Sequence, residues 1–131
     1  MIGGGAWGTA LASHATARHP VSLWSRDPRV VEDMRLNRRN TRYLPDAPFP
    51  EALRLTHDFA EAVAYARGPE GLVIIGTPMA ALGGMLQSLP DDAAALWLCK
   101  GFEKGSGRLG NEIAQALRPQ ARNGVLSGPS F

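Results

Sequence analysis

Met1-Ile2-Gly3-Gly4-Gly5-Ala6-Trp7-Gly8, followed at once by the small-residue run Thr9-Ala10-Leu11-Ala12, decides how the rest of the chain is read. Glycines at 3, 5 and 8 fit G-x-G-x-x-G, the turn in which a strand ends, backbone comes close to a pyrophosphate and a helix begins. Glycine there lets backbone N–H groups reach phosphate oxygens while the helix N-terminus supplies partial positive charge. A dinucleotide-binding domain is expected, with Gly3, Gly5, Ala6 and Gly8 as its first cofactor contacts, while Trp7 in the same loop either covers the cofactor or packs on a neighbouring domain. Only Met1 and Ile2 stand before the turn, whereas strands run to about 5–6 residues. The first strand is therefore expected to be truncated.

Working outward from the turn, Ala6 to about Arg18 has helical apolar spacing closed by Pro20, and Val21-Ser22-Leu23-Trp24 reads as a short strand. Asp27-Pro28 is a helix start, with the aspartate as cap and proline at the first helical position, and that helix runs on through Asn37. Prolines at 45, 48 and 50 exclude regular helix from Asn40 to Pro50, which reads as a surface excursion. Leu53-Arg54-Leu55-Thr56 is a candidate edge strand, and Asp58 caps a helix through about Tyr65. Gly71 to Gly76 is an apolar run without alternation, as a strand covered on both faces requires. A helix over about Ala80–Leu89, a strand over Ala95–Cys99, a helix over Leu109–Leu117 and a last strand from Val125 to Ser127 complete the chain.

Strands alternating with helices predict an α/β fold: a doubly wound, Rossmann-like, mostly parallel sheet with helices on both faces. At 131 residues, with 44% hydrophobic and 20% charged, one domain over 1–131 is expected. A net charge of +2 is too small to argue for nucleic acid, but the arginines gathered in the first third suit an anionic small ligand. The single cysteine, Cys99, excludes an internal disulfide and reads as a buried thiol. No apolar run of 18 residues or signal peptide appears, so stable membrane insertion is not expected and a cytoplasmic protein is. His14, His19 and His57 lack ligand spacing, so no metal site is expected.

In such a sheet the loops leaving the strands' carboxyl ends carry the chemistry. After the second strand, an acid would bond an adenosine ribose and an arginine would accept a 2′-phosphate; Trp24-Ser25-Arg26 therefore favours NADP(H) over NAD(H), with Asp27 explained as the helix cap. Trp24 is expected beside the cofactor. Asn40, Arg42, Tyr43 and Pro45 make a polar-aromatic stretch in which Tyr43 is placed to stack on a ring or cover the cleft. Lys100 is one of two lysines against twelve arginines and follows a buried strand, where a mobile charge serves a phosphate or a reacting oxygen. Gly128-Pro129-Ser130 offers a backbone N–H and a hydroxyl to a substrate oxygen.

Taken in order, Gly3-Gly4-Gly5-Ala6-Trp7-Gly8-Thr9-Ala10-Leu11-Ala12, Leu23-Trp24-Ser25-Arg26-Asp27, Asn40-Thr41-Arg42-Tyr43-Leu44-Pro45, Lys100-Gly101-Phe102-Glu103 and Leu126-Ser127-Gly128-Pro129-Ser130-Phe131 resemble the NAD(P)-dependent glycerol-3-phosphate dehydrogenases of bacterial type. The resemblance spans the chain. It implies reversible reduction of dihydroxyacetone phosphate to sn-glycerol 3-phosphate for phospholipid synthesis. Trp7, Arg26 and Tyr43 would contact NADP(H), Lys100 would face cofactor and substrate, and Gly128 and Ser130 would hold substrate. It further implies a helical second domain beyond Phe131 carrying the proton-transfer lysine, so that this chain is an amino-terminal fragment, inactive alone and without a catalytic residue of its own. The resemblance leaves room for a homodimer in the full-length enzyme. Gly4 stands where alanine is common in the family, and Ala6 where serine is frequent. The competing readings are another dehydrogenase with a helical second domain, acting on a hydroxy acid or ketopantoate, and a stand-alone dinucleotide-binding module.

Overall fold

A computed structural model describes residues 1–128 and shows a mixed α/β fold with parallel strand pairing. Contacts divide the chain into two compact units, Met1–Tyr65 and Ala66–Phe131, each with its own strands and helices.

In the first unit, α1 (Ala6–Ala15) leads to β1 (Ser22–Trp24), and α2 (Pro28–Asn37) to the short β2 (Arg39–Asn40). Then come β3 (Leu44–Pro48), β4 (Arg54–Thr56) and α3 (Phe59–Tyr65). Strands β1 and β4 pair in parallel, with Leu23 opposite Leu55 and Trp24 opposite Thr56. The two residues before the glycine turn join this pairing. Ile2 forms a parallel bridge to Trp24, Trp24 N–H donates to Met1 O at 2.9 Å, and Gly3 N–H donates to Trp24 O at 3.0 Å. The terminal amine of Met1 donates to Ser22 O at 2.8 Å, and burial lowers its pKa to about 6.

The amphipathic faces of α1 and α2 close on these strands, and Ala12, Leu23, Val31, Met34, Phe49, Leu53 and Leu55 form one buried cluster. Each buried side chain of this size is worth roughly 1.5–3 kcal/mol of transfer free energy. Asp27 caps α2 as its sequence predicts, accepting from Arg29 N–H at 2.9 Å with Pro28 at the first helical position. Asp58 accepts from Glu61 N–H at 3.1 Å at the start of α3.

Two expectations need correction here. The stretch expected as an irregular excursion, 40–50, contains a strand: β2 and β3 pair antiparallel, with Arg39 opposite Pro48 and Asn40 opposite Leu44. Its prolines are tolerated because the ribbon has two strands only, and Pro45 and Pro48 lie exposed on it. Trp24, expected beside a cofactor, turns inward: it is 7% exposed, its indole N–H donates to His57 O at 3.0 Å, and its ring meets Phe59 edge-on.

In the second unit, β5 (Val73–Ile75), α4 (Met79–Gln87), β6 (Ala95–Trp97), α5 (Gly110–Leu117) and β7 (Asn123–Val125) alternate, and the strands pair in parallel in the order β5-β6-β7. The last strand begins at Asn123, two residues earlier than its sequence suggests. Helices α4 and α5 bury Leu82, Leu86, Ile113 and Ala114. Gly110, at the start of α5, lies so close to Trp97 that a Cβ would sit 2.6 Å from the indole nitrogen. Glu112 accepts from Leu109 N–H at 2.7 Å, half of a capping box. Arg118 is only 4% exposed: its guanidinium donates to Pro90 O, Ala93 O and Asn123 Oδ1, fastening the end of α5 to the segment before β6. Cys99 is half-buried rather than buried, and desolvation raises its thiol pKa.

Candidate functional site

The glycine turn is built by three different demands on three glycines. Gly3 has φ +115°, which side-chain-bearing residues rarely adopt. A Cβ on Gly8 would lie 2.0 Å from Gly3 O, so the close return of the helix onto the strand end excludes any side chain. Gly5 differs from both. Its backbone is extended, with φ −75° and ψ −178°, and a Cβ there would meet nothing within 4 Å. A side chain at Gly8 would thus crowd the turn itself, and the space open to a ligand is at Gly5.

Helix α1 starts with its donors uncapped. Its first bond runs from Thr9 N–H to Gly5 O at 2.9 Å, so the helix leaves the N–H groups of Ala6, Trp7 and Gly8 unpaired. No side chain caps this terminus and no acid lies in its first turn. Unpaired donors, the positive end of the helix dipole and an unfilled cradle at Gly5 suit a phosphate group. Trp7 stands 82% exposed beside them.

Ser25 continues the strand pairing beyond β1, its N–H donating to Thr56 O at 3.1 Å. Arg26 follows in a bend, exposed and with no hydrogen-bond or ion-pair partner among the described residues. Asp27 is committed differently, accepting Arg29 Nε at 3.3 Å and Nη2 at 3.1 Å besides its capping bond. The Arg29 hydrogen bonds hold its carboxyl below the usual carboxylate range. The acid is thus occupied by α2, and the guanidinium next to it is available to an anion.

The Asn40–Tyr43 segment meets the glycine turn through one side chain. Asn40 is 1% exposed and donates from Nδ2 to Gly4 O and to Thr9 Oγ1, both at 2.9 Å, while its Oδ1 accepts from Tyr43 N–H at 3.1 Å. Tyr43 is 46% exposed, and the Arg42 guanidinium lies 5.1 Å from its ring centroid. An open depression of about 340 Å³ beside this loop is lined by Asp27, Arg29, Val30, Asp33, Asn40, Thr41 and Arg42. Sequence reasoning put Tyr43 near the turn but gave Asn40 and Thr9 no part in holding it there.

In the second unit, the parallel register sets Trp97 opposite Val125. Lys100 lies three residues past Trp97 and Gly128 three past Val125, so both leave neighbouring strands at the same end. Lys100 is exposed, just before Gly101 with φ +88°, and Gly128 is exposed with open space at its Cα. Thr77, two residues past β5 at that same end, has a buried hydroxyl without a partner among the described residues. Ser130 lies outside the described residues. No group of three metal-ligating side chains comes together among the described residues, and no helix in them is long and apolar enough to cross a membrane.

The family model for the NAD-dependent glycerol-3-phosphate dehydrogenase N-terminus matches residues 1–131. A protein of Leptothrix cholodnii named glycerol-3-phosphate dehydrogenase, NAD(P)+, is 49% identical over 140 residues, covering the whole chain and 42% of that protein. Its namesake from Methylibium petroleiphilum is 49% identical over 132 residues, covering the whole chain and 40% of the relative. The chain thus spans about two-fifths of the length of these curated relatives. Among solved structures, glycerol-3-phosphate dehydrogenase from Coxiella burnetii aligns with TM-score 0.79 and 30% identity over 99% of this chain and 40% of that one. The yeast enzyme aligns with TM-score 0.75 at 22% identity, a likeness of fold.

Proposed function

The chain belongs to the NAD-dependent glycerol-3-phosphate dehydrogenase N-terminus family, and from that premise we propose that residues 1–131 are the cofactor-binding domain of an enzyme interconverting dihydroxyacetone phosphate and sn-glycerol 3-phosphate. When bound, a nicotinamide dinucleotide supplies or accepts the hydride at the substrate carbon, and a proton moves to or from the oxygen. The chain's own task is to bind and orient. Gly3, Gly5, Ala6, Trp7 and Gly8 form the pyrophosphate cradle, with N–H groups of the α1 terminus as donors. Arg26 takes the adenosine 2′-phosphate and so favours NADP(H) while leaving NAD(H) usable. Tyr43 stacks at the adenosine side. Lys100 serves both cofactor and substrate, and Gly128 and Ser130 serve the substrate oxygens. Proton transfer falls to a residue outside this chain, in keeping with the longer relatives. The lone thiol fits a cytoplasmic setting, and phospholipid synthesis is the use of the product.

One observation carries this reading: the glycine turn is sterically closed at Gly8 but open at Gly5, beside three unpaired N–H groups. The family match favours this substrate over a hydroxy acid or ketopantoate. The test is a titration of NADPH and then NADH, followed by fluorescence of the exposed Trp7. Saturable binding that is tighter for NADPH is expected. Arg26→Asp should weaken NADPH by roughly tenfold to a hundredfold, the range for losing one charge-assisted phosphate contact, with little loss for NADH. Equal losses for the two cofactors would refute Arg26 as the phosphate's partner.

A further inference from the structure

We infer that Asn40 is a positioning residue that makes the pyrophosphate turn and the Arg42–Tyr43 loop act as one unit in cofactor binding. The inference rests on the cofactor reading above and adds a residue that touches no ligand.

The Asn40 amide has every hydrogen-bonding group of its side chain engaged. Both Nδ2 hydrogens have acceptors, Gly4 O and Thr9 Oγ1, and Oδ1 has a donor, Tyr43 N–H. Reversing the amide would set Oδ1 against Gly4 O and Nδ2 against an N–H, so its orientation is fixed by repulsion as well as attraction. At 1% exposure, water cannot replace these partners, and each one lost leaves a buried polar group unpaired. Gly4 and Thr9 lie on either side of Gly5 and the α1 terminus. Tyr43 lies three residues past Asn40 and presents its ring outward, with Arg42 against it.

A shift of the turn therefore moves the acceptors on which Asn40 depends, and Asn40 in turn supplies the Oδ1 that accepts Tyr43 N–H. Nothing else among the described hydrogen bonds joins residues 4–9 to residues 41–43. Among the described hydrogen bonds, the connection between turn and loop is thus concentrated in one side chain. A cofactor that grips the turn with its pyrophosphate and the loop with its adenosine should gain from having both already aligned.

The experiment is a double-mutant cycle on NADPH affinity in the intact protein. Tyr43→Ala in the unsubstituted background should weaken NADPH about tenfold, the loss of one stacked base. In an Asn40→Ser background the same Tyr43→Ala change should cost less than about twofold, because the loop is no longer held where it can contribute. Should Asn40→Ser fail to fold, Thr9→Val replaces it: shape is kept, one of the three partners is removed, and the coupling should fall in the same direction. Asn40→Asp separates the two connections, since it keeps the acceptor for Tyr43 N–H and loses both donors to the turn. It should retain more of the Tyr43 contribution than Asn40→Ser while still weakening pyrophosphate binding. A purely structural asparagine would lower the thermal midpoint but leave the Tyr43→Ala factor at tenfold in every background, and that result overturns the inference. Absence of any NADPH or NADH binding to the unsubstituted protein overturns the cofactor reading itself, and the inference with it.

Discussion

The glycine-rich turn at residues 3–8 and the glycine-rich loop at residues 100–107 both follow a parallel strand, yet they are held in different ways. The turn is fixed by partners distant in sequence: Trp24 backbone on Gly3, the Asn40 amide on Gly4, and Gly3 O against the Cα of Gly8. From Glu103 to Arg108 the loop is held by bonds of its own. Glu103 N–H donates to Arg108 O, Gly107 N–H donates to Glu103 O, and Ser106 Oγ donates to the Glu103 carboxylate, while no atom lies within 4 Å of a Cβ built on Gly101, Gly105 or Gly107. One region is preorganised by tertiary contact, while the hydrogen bonds described within residues 103–108 of the other are local. Glycine serves chain direction at Gly3 and close approach at Gly8 in the first region, and chain direction alone in the second.

Substitution of single glycines tests that contrast. Gly8→Ala carries the largest expected effect, about 3 kcal/mol or more of lost stability, since a methyl 2.0 Å from a backbone oxygen cannot be relieved by a rotamer change. A denaturant midpoint close to that of the parent would show that the turn is softer than its geometry says. Gly101→Ala should cost about 1–2 kcal/mol, because the penalty there is conformational, at φ +88°, with no clash to add. A loss as large as that of Gly8→Ala would erase the contrast between the two regions. Gly5→Ala should change stability least, by about 0.5 kcal/mol for a poorer helix cap. It should nevertheless weaken NADPH severalfold, because the methyl group enters the open cradle. Unchanged NADPH affinity would locate the pyrophosphate elsewhere.

Local chemistry was legible in the sequence wherever one residue type answers one physical need. Asp27-Pro28 reads as a cap and first helical residue because an acid and a proline suit those two positions, and both are found there. The glycine spacing likewise announced the turn. What depends on partners across the chain was not legible. Three prolines between 45 and 50 argue against a strand in any sheet interior, and only an exposed two-stranded ribbon accommodates them. Asn123-Gly124 has poor strand propensity, yet both residues pair with β6 at Ala95 and Leu96. Asn40 in Asn-Thr-Arg reads as a turn residue, and its burial follows from the turn it meets 36 residues away. Arg118 carries no mark of burial in the sequence, and the carbonyls of Pro90 and Ala93 with Asn123 Oδ1 explain why it is covered. Within the candidate site, the open cradle at Gly5 and the engagement of Asp27 by Arg29 likewise needed coordinates.

The amine of Met1 carries a thermodynamic liability. Its pKa falls from 8.0 to about 6 on folding, so between those values the unfolded chain binds the extra proton. Stability should therefore rise as pH increases from 6 to 8, by at most about 3 kcal/mol. Acetylating the amine would leave an amide N–H still able to reach Ser22 O with no charge to desolvate. Urea midpoints at pH 5.5 and 8.5 should then differ less for the acetylated chain than for the parent; an equal difference would assign the pH response to other groups. Neutralising that amine extends the ladder's chemistry by one peptide unit without adding a side chain.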